Sequence, residues 1–303
     1  VTARWLRTER DRLLDFGTGL AHPRGGAAWL AADGRPDPDR PLATWITARM
    51  THVYAVGAAL GRPGDAAVAA AALAPDGTPS PGRSAYAHAF VLLGACSAAA
   101  VGLPGGDGLL AAAVPAFRRF RDDAGLLADE LDTRWRAAPY RGLNALMHGV
   151  EAMLAAWDHT GDAAWRDWAH HAARFTADLV TAHGHRLPNT STPRGRRSRS
   201  TTRTVRTPRS SRTAPPSATR WKTHRRRPLR RRPAPLVDDR APPRRRPDGS
   251  WHHQLAPDLT PADSVWPGSP DLYHALTALL MPSLPLGVGT TAAVRSAARR
   301  RLR

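Results

Sequence analysis

Along residues 1–187, apolar positions recur at intervals of three and four, the period of an α-helix, and strand-like alternation is almost absent. Between Leu42 and Gly61, Ile46, Met50, Val53 and Gly57 form one stripe; Trp45, Arg49, His52 and Val56 form a second on a neighbouring face. Ser84–Val101 carries Tyr86, Phe90 and Leu93 in register, and Ala163–Thr181 aligns Trp165, Trp168, Ala172, Phe175 and Leu179. In Gly142–Trp157, the spacing sets Met147, Val150 and Leu154 on a core face beside a line of Asn144, His148 and Glu151. Connectors rich in Gly, Pro and Asp, such as "GRPGD", separate these segments. A last helix is predicted from Pro270 to Met281, with Ser269 as N-cap, Pro270 at the first helical position and Asp271 complementing the helix dipole. Leu272, Leu276 and Leu279 or Leu280 are its core face, and after Gly287 the pattern reads as a frayed basic tail.

The periodicity stops at residue 188. Residues 188–247 are dominated by Arg, Pro, Thr and Ser and lack the apolar surface needed to offset the entropy of ordering, so disorder is expected. This stretch changes the meaning of the charge. The net charge is +19, but residues 188–248 hold 20 Lys and Arg against 3 Asp, which leaves the rest near neutral. The chain therefore divides into helical sequence at 1–187, the basic segment 188–247, helical sequence again at 248–287, and the tail 288–303. One cysteine, Cys96, excludes an internal disulfide framework and fits a reducing compartment. With no apolar run long enough to span a bilayer and no signal-like opening segment, a cytoplasmic protein without a membrane partner is expected. Nothing in the pattern specifies an oligomeric state.

Four helices offer polar groups from apolar surroundings: Arg49, Tyr86 with His88, the Asn144–His148–Glu151 line beside Tyr140 and Arg141, and His274. Each group alone fits a bland role, a solvated helix face or a satisfied core side chain. An arginine inside an apolar helix needs a buried partner, however, and together the groups fit a polar, sugar-sized pocket inside a ring of helices. A zinc centre has little support, with one cysteine, no His-Glu-x-x-His motif and two adjacent histidines, His252 and His253, that converge poorly on one ion.

The segments "TWITARMTHVYA", "AYAHAFVL", "YRGLNALMH", "GSWHH" and "VWPGSPDLYHAL", in this order, resemble the N-acylglucosamine 2-epimerase superfamily, and within it the bacterial D-mannose isomerases most. The resemblance covers residues 1–187 and about 248–287. It implies an all-α fold, an (α/α)6 barrel left incomplete here, with a disordered Arg/Pro-rich insert. It implies an isomerase that moves a proton between C1 and C2 of a monosaccharide of the mannose/fructose type through an enediol, without a cofactor or metal. By the same resemblance, Arg49, Tyr86, Asn144, Glu151 and Trp266 are sugar-binding, and His148 and His274 are catalytic. Histidine suits this chemistry because it titrates near neutrality and serves as acid or base. N-acylglucosamine 2-epimerase activity is the alternative within the superfamily. Non-specific, salt-sensitive binding of nucleic acid through 188–247 is the alternative of another class.

The chain departs from the family pattern. Leu146 and Ser269 stand where the family has asparagine and lysine, a helix is missing between Leu73 and Pro75, and the Gly-His-x-x-Glu motif with the second acid–base histidine is absent. A shifted reading frame accounts for that last gap. Trp221 and Lys222 allow only glutamate when the third base of one codon is joined to the next codon. With permitted codons, "RTAPPSATRWK" rereads as Tyr-Gly-Ala-Thr-Val-Gly-His-Pro-Leu-Glu. The basic segment then reads as an out-of-frame translation of a GC-rich isomerase gene, which impairs or abolishes catalysis. Nucleotide sequencing across codons 180–250 is expected to spell Gly-His-x-x-Glu in the second frame and to show an insertion or deletion on either side. Codons that spell anything else there overturn this reading.

Overall fold

The computed structural model describes residues 2–73, 83–182, 190–191, 246, 248–255, 260–262, 264, 268–269, 271–285 and 288–301. Among them the helices are α1 (Ala3–Phe16), α2 (Thr44–Ala59), α3 (Asp65–Leu73), α4 (Ala85–Ala100) and α5 (Gly106–Arg118), followed by α6 (Leu143–Thr160), α7 (Ala163–Ala182), α8 (Tyr273–Leu280) and α9 (Thr290–Arg301). Sequence signals set several ends: Thr2 caps α1 through the Trp5 amide at 3.1 Å, and α6 stops at Gly161 in a left-handed conformation. No helix among the described residues is long and apolar enough to cross a membrane.

Helices α8, α2, α4 and α6 form an inner row, backed in order by α1, α3, α5 and α7. That is the inner and outer layering of an (α/α)6 barrel with four of its six helix pairs among the described residues. Inner helices are covered on both sides, so α2 is buried continuously from Ile46 to Gly57 and both of its sequence stripes face protein. The row is tight because Gly94 of α4 lies against α2: a Cβ at Gly94 would stand 2.8 Å from the Ala48 carbonyl oxygen. Outside it, Trp165 and Trp168 of α7 stack at 5.9 Å beneath Phe117, and the Trp168 indole donates to the Gly125 carbonyl at 2.8 Å. Leu272, Leu276, Leu279 and Leu280 are all buried, each contributing about 1.5–3 kcal/mol. An eight-residue helix such as α8 forms only because that packing outweighs its cost of nucleation.

Two-residue antiparallel ladders staple the N-terminal ends of the inner helices. β1 (Trp29–Leu30) pairs with β2 (Pro36–Asp37), β3 (Arg83–Ser84) with β4 (Glu130–Leu131), β5 (Arg141–Gly142) with β6 (Thr190–Ser191), and β7 (Gln254–Leu255) with β8 (Pro261–Ala262). The strand before α4 pairs with chain that follows α5, and the strand before α6 with chain that follows α7. Ser269, just before α8, likewise pairs with Leu30, after α1. The connectors also repeat. Gly34 and Trp135 occupy equivalent turns with φ of 82° and 63°, donating to Ala31 and Asp132 respectively. A left-handed tryptophan is strained, by about 1–3 kcal/mol. Arg83 and Arg119 sandwich its ring at 4.1 and 4.2 Å and hold it there.

Sequence expectations are corrected in whole or in part at three places, and a fourth falls almost wholly outside the described residues. Ser269 does not cap the last helix: its amide donates to Leu30, α8 begins at Tyr273, and an Asp271 oxygen takes the Tyr273 amide at 2.9 Å. In α6 the fully buried residues are Ala145, Leu146, His148, Gly149, Ala152, Met153 and Ala156; Val150 and Leu154 pack against the core half-buried, as the spacing predicts, and Met147 is half-buried outside that cluster. The basic tail is not frayed; α9 packs on α2, α4 and α6, with Thr291, Ala293 and Val294 buried. Of the segment 188–247 read as disordered, Thr190–Ser191 is a paired strand and the Arg246 amide donates to Ser250, while the rest lies outside the described residues.

Candidate active site

The N-terminal halves of the four inner helices converge on Arg49. One guanidinium nitrogen donates to Asp271 at 2.8 Å, and another donates to the Tyr86 hydroxyl at 2.6 Å and lies 3.3 Å from His274 Nε2. The ion pair is sealed, its side chains 4% and 2% exposed. Phe90, Trp45 and Tyr273 present their rings 4.2, 4.8 and 5.1 Å from the guanidinium carbon. The buried partner that an arginine in an apolar helix demands is therefore Asp271, 222 residues along the chain.

The pair sets the electrostatics. Burial alone would raise the Asp271 carboxyl, but Arg49, His253, His274 and the Tyr273 amide outweigh it and hold Asp271 ionised below the usual carboxylate range. Burial and Arg49 push His274 down to about 3, against the opposing pull of Asp271. Arginine only donates, so Nε2 of His274 is the acceptor and the neutral ring carries its proton on Nδ1. Among the described residues that Nδ1 is buried without a partner, as are Arg49 Nε and His253 Nδ1. His253 is likewise shifted toward the neutral form, by burial first.

His148 of α6 completes the group. It is buried, its ring 6.0 Å from that of His274, 5.5 Å from Tyr86 and 4.5 Å from Phe90. Its Nδ1 lies 3.4 Å from an oxygen of Glu151, and the same oxygen accepts the Tyr273 hydroxyl. Arg49, Tyr86, His148, Glu151 and His274 are thus brought together. Asn144, one turn earlier on α6, is exposed. Trp266 lies outside the described residues. Arg141 turns away to Asp122 at 3.0 Å, Tyr140 is exposed, and His88 sits 2.8 Å from the Ser84 carbonyl oxygen beside Phe120, so none of these joins the cluster. Sequence reasoning gives Asp271 only a helix-dipole role and Tyr273 none. Their signal was the run Asp271–Leu272–Tyr273–His274, three polar side chains in four residues leading into an apolar helix.

Elsewhere, a cavity of about 220 Å³ lies between α4, α6 and the start of α9, lined by Cys96, Ser97, Asp158, Thr291 and Arg295. It does not include the Arg49 cluster, and burial pushes the Cys96 thiol up to about 12, which keeps it protonated. Among the described residues, no three His, Cys, Asp or Glu side chains are placed to hold a metal ion.

The sequence profile of the N-acylglucosamine 2-epimerase family matches residues 25–190, over half of the chain. The chain belongs to the N-acylglucosamine 2-epimerase family. Two relatives of its sequence are D-mannose isomerases. One from Thermobifida fusca is 41% identical over 213 residues, 62% of this chain and 52% of that protein, so the chain spans about half the length of this relative. Another, from Pseudomonas cannabina pv. alisalensis, is 28% identical over 406 positions, covering 96% of this chain and 94% of that protein. A match of that length to a chain of 303 residues means that the relative carries long stretches with no counterpart here. Two solved structures share the fold of this family member. A D-mannose isomerase superposes with a TM-score of 0.57 at 19% identity, over 65% of this chain and 57% of its own. The cellobiose 2-epimerase of Spirochaeta thermophila gives 0.56 at 17% identity, over 98% of each chain. These likenesses make the chain an incomplete (α/α)6 barrel.

Acid lability follows from the buried neutral imidazole. An unfolded histidine titrates near 6.5 and folded His274 near 3, so between these values the unfolded chain binds the extra proton. Stability is full above about pH 6.5 and is lost as pH falls, by up to about 1.4 kcal/mol per pH unit for one group. Urea unfolding at pH 7 and pH 5 is expected to differ by about 2 kcal/mol from His274 alone. His274→Gln should remove that share of the difference, and an unchanged pH dependence in this variant contradicts the assignment. Asp271 does not contribute in this window; its share is lost only below about pH 3.9, the unfolded carboxyl value.

Proposed function

We propose that the Arg49 cluster is the sugar-binding side of an aldose–ketose isomerase site for a hexose of the D-mannose/D-fructose type. The observation that carries this reading is the pair of buried imidazoles, His148 and His274, 6.0 Å apart beside a clamped guanidinium. Isomerisation takes the proton from C2 of the open-chain aldose, passes through an enediol, and returns a proton to C1. It needs a neutral base, a proton donor and positive charge near the developing oxyanion. Neutral His274 offers Nδ1–H as the donor, His148 is placed to bind the sugar and open its ring, and Arg49 supplies the charge. Tyr86 faces the same space as a hydroxyl partner for the sugar. The two sequence relatives, both D-mannose isomerases, support this choice over 2-epimerisation. The frame reading adds that this chain lacks the family's second acid–base histidine, and losing one positioned acid–base group costs about 10²–10⁴ in rate.

Purified chain incubated with D-mannose, and separately with D-fructose, is expected to interconvert them at under about a hundredth of the rate of the Thermobifida relative. A frame-restored version should recover turnover and lose it again on His274→Gln. Full-rate turnover by the chain itself contradicts the impairment. A frame-restored protein that acts on N-acetylmannosamine and not on mannose contradicts the isomerase reading.

A further inference from the structure

The cavity of about 220 Å³ lies at the C-terminal ends of α4 and α6, away from the Arg49 cluster, and the start of α9 closes it. Leu93 and Ala100 of α4, Ala155 of α6 and Ala292 of α9 give it an aliphatic wall. Ser97 and Thr291 also line it, but their hydroxyls are engaged with the protein. The Ser97 hydroxyl donates to the Leu93 carbonyl at 2.9 Å, lies 2.7 Å from His52 Nδ1, and is 2.9 Å from Thr291 Oγ1. At about 30 Å³ per water in the liquid, the volume equals that of several waters, enough for a small organic molecule.

Two charged side chains reach the same space, and they do not pair. Asp158 accepts the Gly289 amide with one carboxylate oxygen, and Arg295 stands one turn beyond Thr291 on α9. Both are half-buried, and among the described residues neither forms an ion pair. Burial raises the Asp158 carboxyl, and what opposes the rise is the Gly289 amide, not a cation. A carboxylate and a guanidinium that face one cavity without meeting suit a ligand that carries both charges. A simple anion on Arg295 would face Asp158, and a simple amine on Asp158 would face Arg295. An uncharged sugar would answer neither charge and would lay hydroxyls on the aliphatic wall. We propose that this cavity binds the zwitterion of a small aliphatic α-amino acid. Its ammonium donates to the second oxygen of Asp158, its carboxylate accepts from Arg295, and its side chain packs on Leu93, Ala100, Ala155 and Ala292. The bound ligand joins α6 to α9 and holds α9 across the ends of the inner helices.

The test is a titration of the purified chain with L-valine, isovalerate and isobutylamine, which share an aliphatic group and differ in charge. Binding is read from ¹³C-labelled alanine methyl resonances, with Ala155 and Ala292 assigned through Ala155→Ser and Ala292→Ser. L-Valine is expected to shift both methyls saturably, with a Kd of about 1 mM or tighter. Isovalerate and isobutylamine, each lacking one charged contact, should bind about tenfold more weakly or worse. Asp158→Asn, which still accepts the Gly289 amide, should remove the preference for valine over isovalerate. Arg295→Gln should remove the preference for valine over isobutylamine. Methyls that do not move with valine at about 10 mM overturn the proposal. So does isovalerate or isobutylamine binding as tightly as valine to the parent chain, or valine binding that both variants leave unchanged. The parent titrations decide the matter even where a variant fails to fold. No sugar and no turnover enter this test, so its outcome is independent of the isomerase reading.

Discussion

A buried arginine facing a buried aspartate is the interaction on which the rest of this molecule depends. Arg49 and Asp271 are contributed by segments 222 residues apart, and both are almost wholly removed from water. Taking either charge into the interior alone would cost several kcal/mol, so the two are stable there only together. The pair therefore does more than bond α2 to α8. It decides that the C-terminal segment must return to the first helices, and that the ring of inner helices turns back toward itself at this point. The Tyr273 amide on Asp271 and the Leu30–Ser269 bridge then fix the register of that return.

Chemical character follows from the same constraint. Burial first, and then a guanidinium held in an aromatic cage of Phe90, Trp45 and Tyr273, keeps His274 neutral, and the guanidinium orients its ring. Tyr86 and His148 approach because the inner helices are close-packed, with Gly94 against the Ala48 carbonyl. The polar groups sit at the N-terminal halves of these helices, where the two-residue ladders tie neighbouring helices together. At the opposite ends α9 packs across α2, α4 and α6, so apolar inner faces that an incomplete ring would expose are partly covered by the chain itself.

Much of this was legible in the sequence, for physical reasons. Helices α4, α6 and α7 are long and their side chains periodic, so their bounds fall within a few residues of the pattern. Arg49 announced itself as a charge in an apolar helix that needed a partner. The partner was not legible, because nothing local links positions 49 and 271, and Asp271 also fits the local role of a helix-start carboxylate. Ser269 misled in the same way: it has the chemistry of an N-cap, but ladder pairing to Leu30 claims its amide. In α6 the small residues Ala145, Gly149, Ala152 and Ala156 face the core and Met147 does not, because close helix packing there selects small volume over hydrophobicity. Asn144 shared a face with His148 on spacing, yet it sits a turn nearer the helix end and is exposed. The tail was read from its arginines, whereas Thr291, Ala293 and Val294 on its other face drive α9 onto the inner row.

The most direct measurement of the central claim is a double-mutant cycle on Arg49 and Asp271, with stability taken from urea unfolding of Arg49→Met, Asp271→Leu and the pair. Each single change strands a buried charge and is expected to cost about 3–5 kcal/mol, whereas the double change leaves an apolar contact and should cost less than either single one. Single costs near zero, or costs that simply add in the double variant, would contradict the claim that this pair organises the fold and its site.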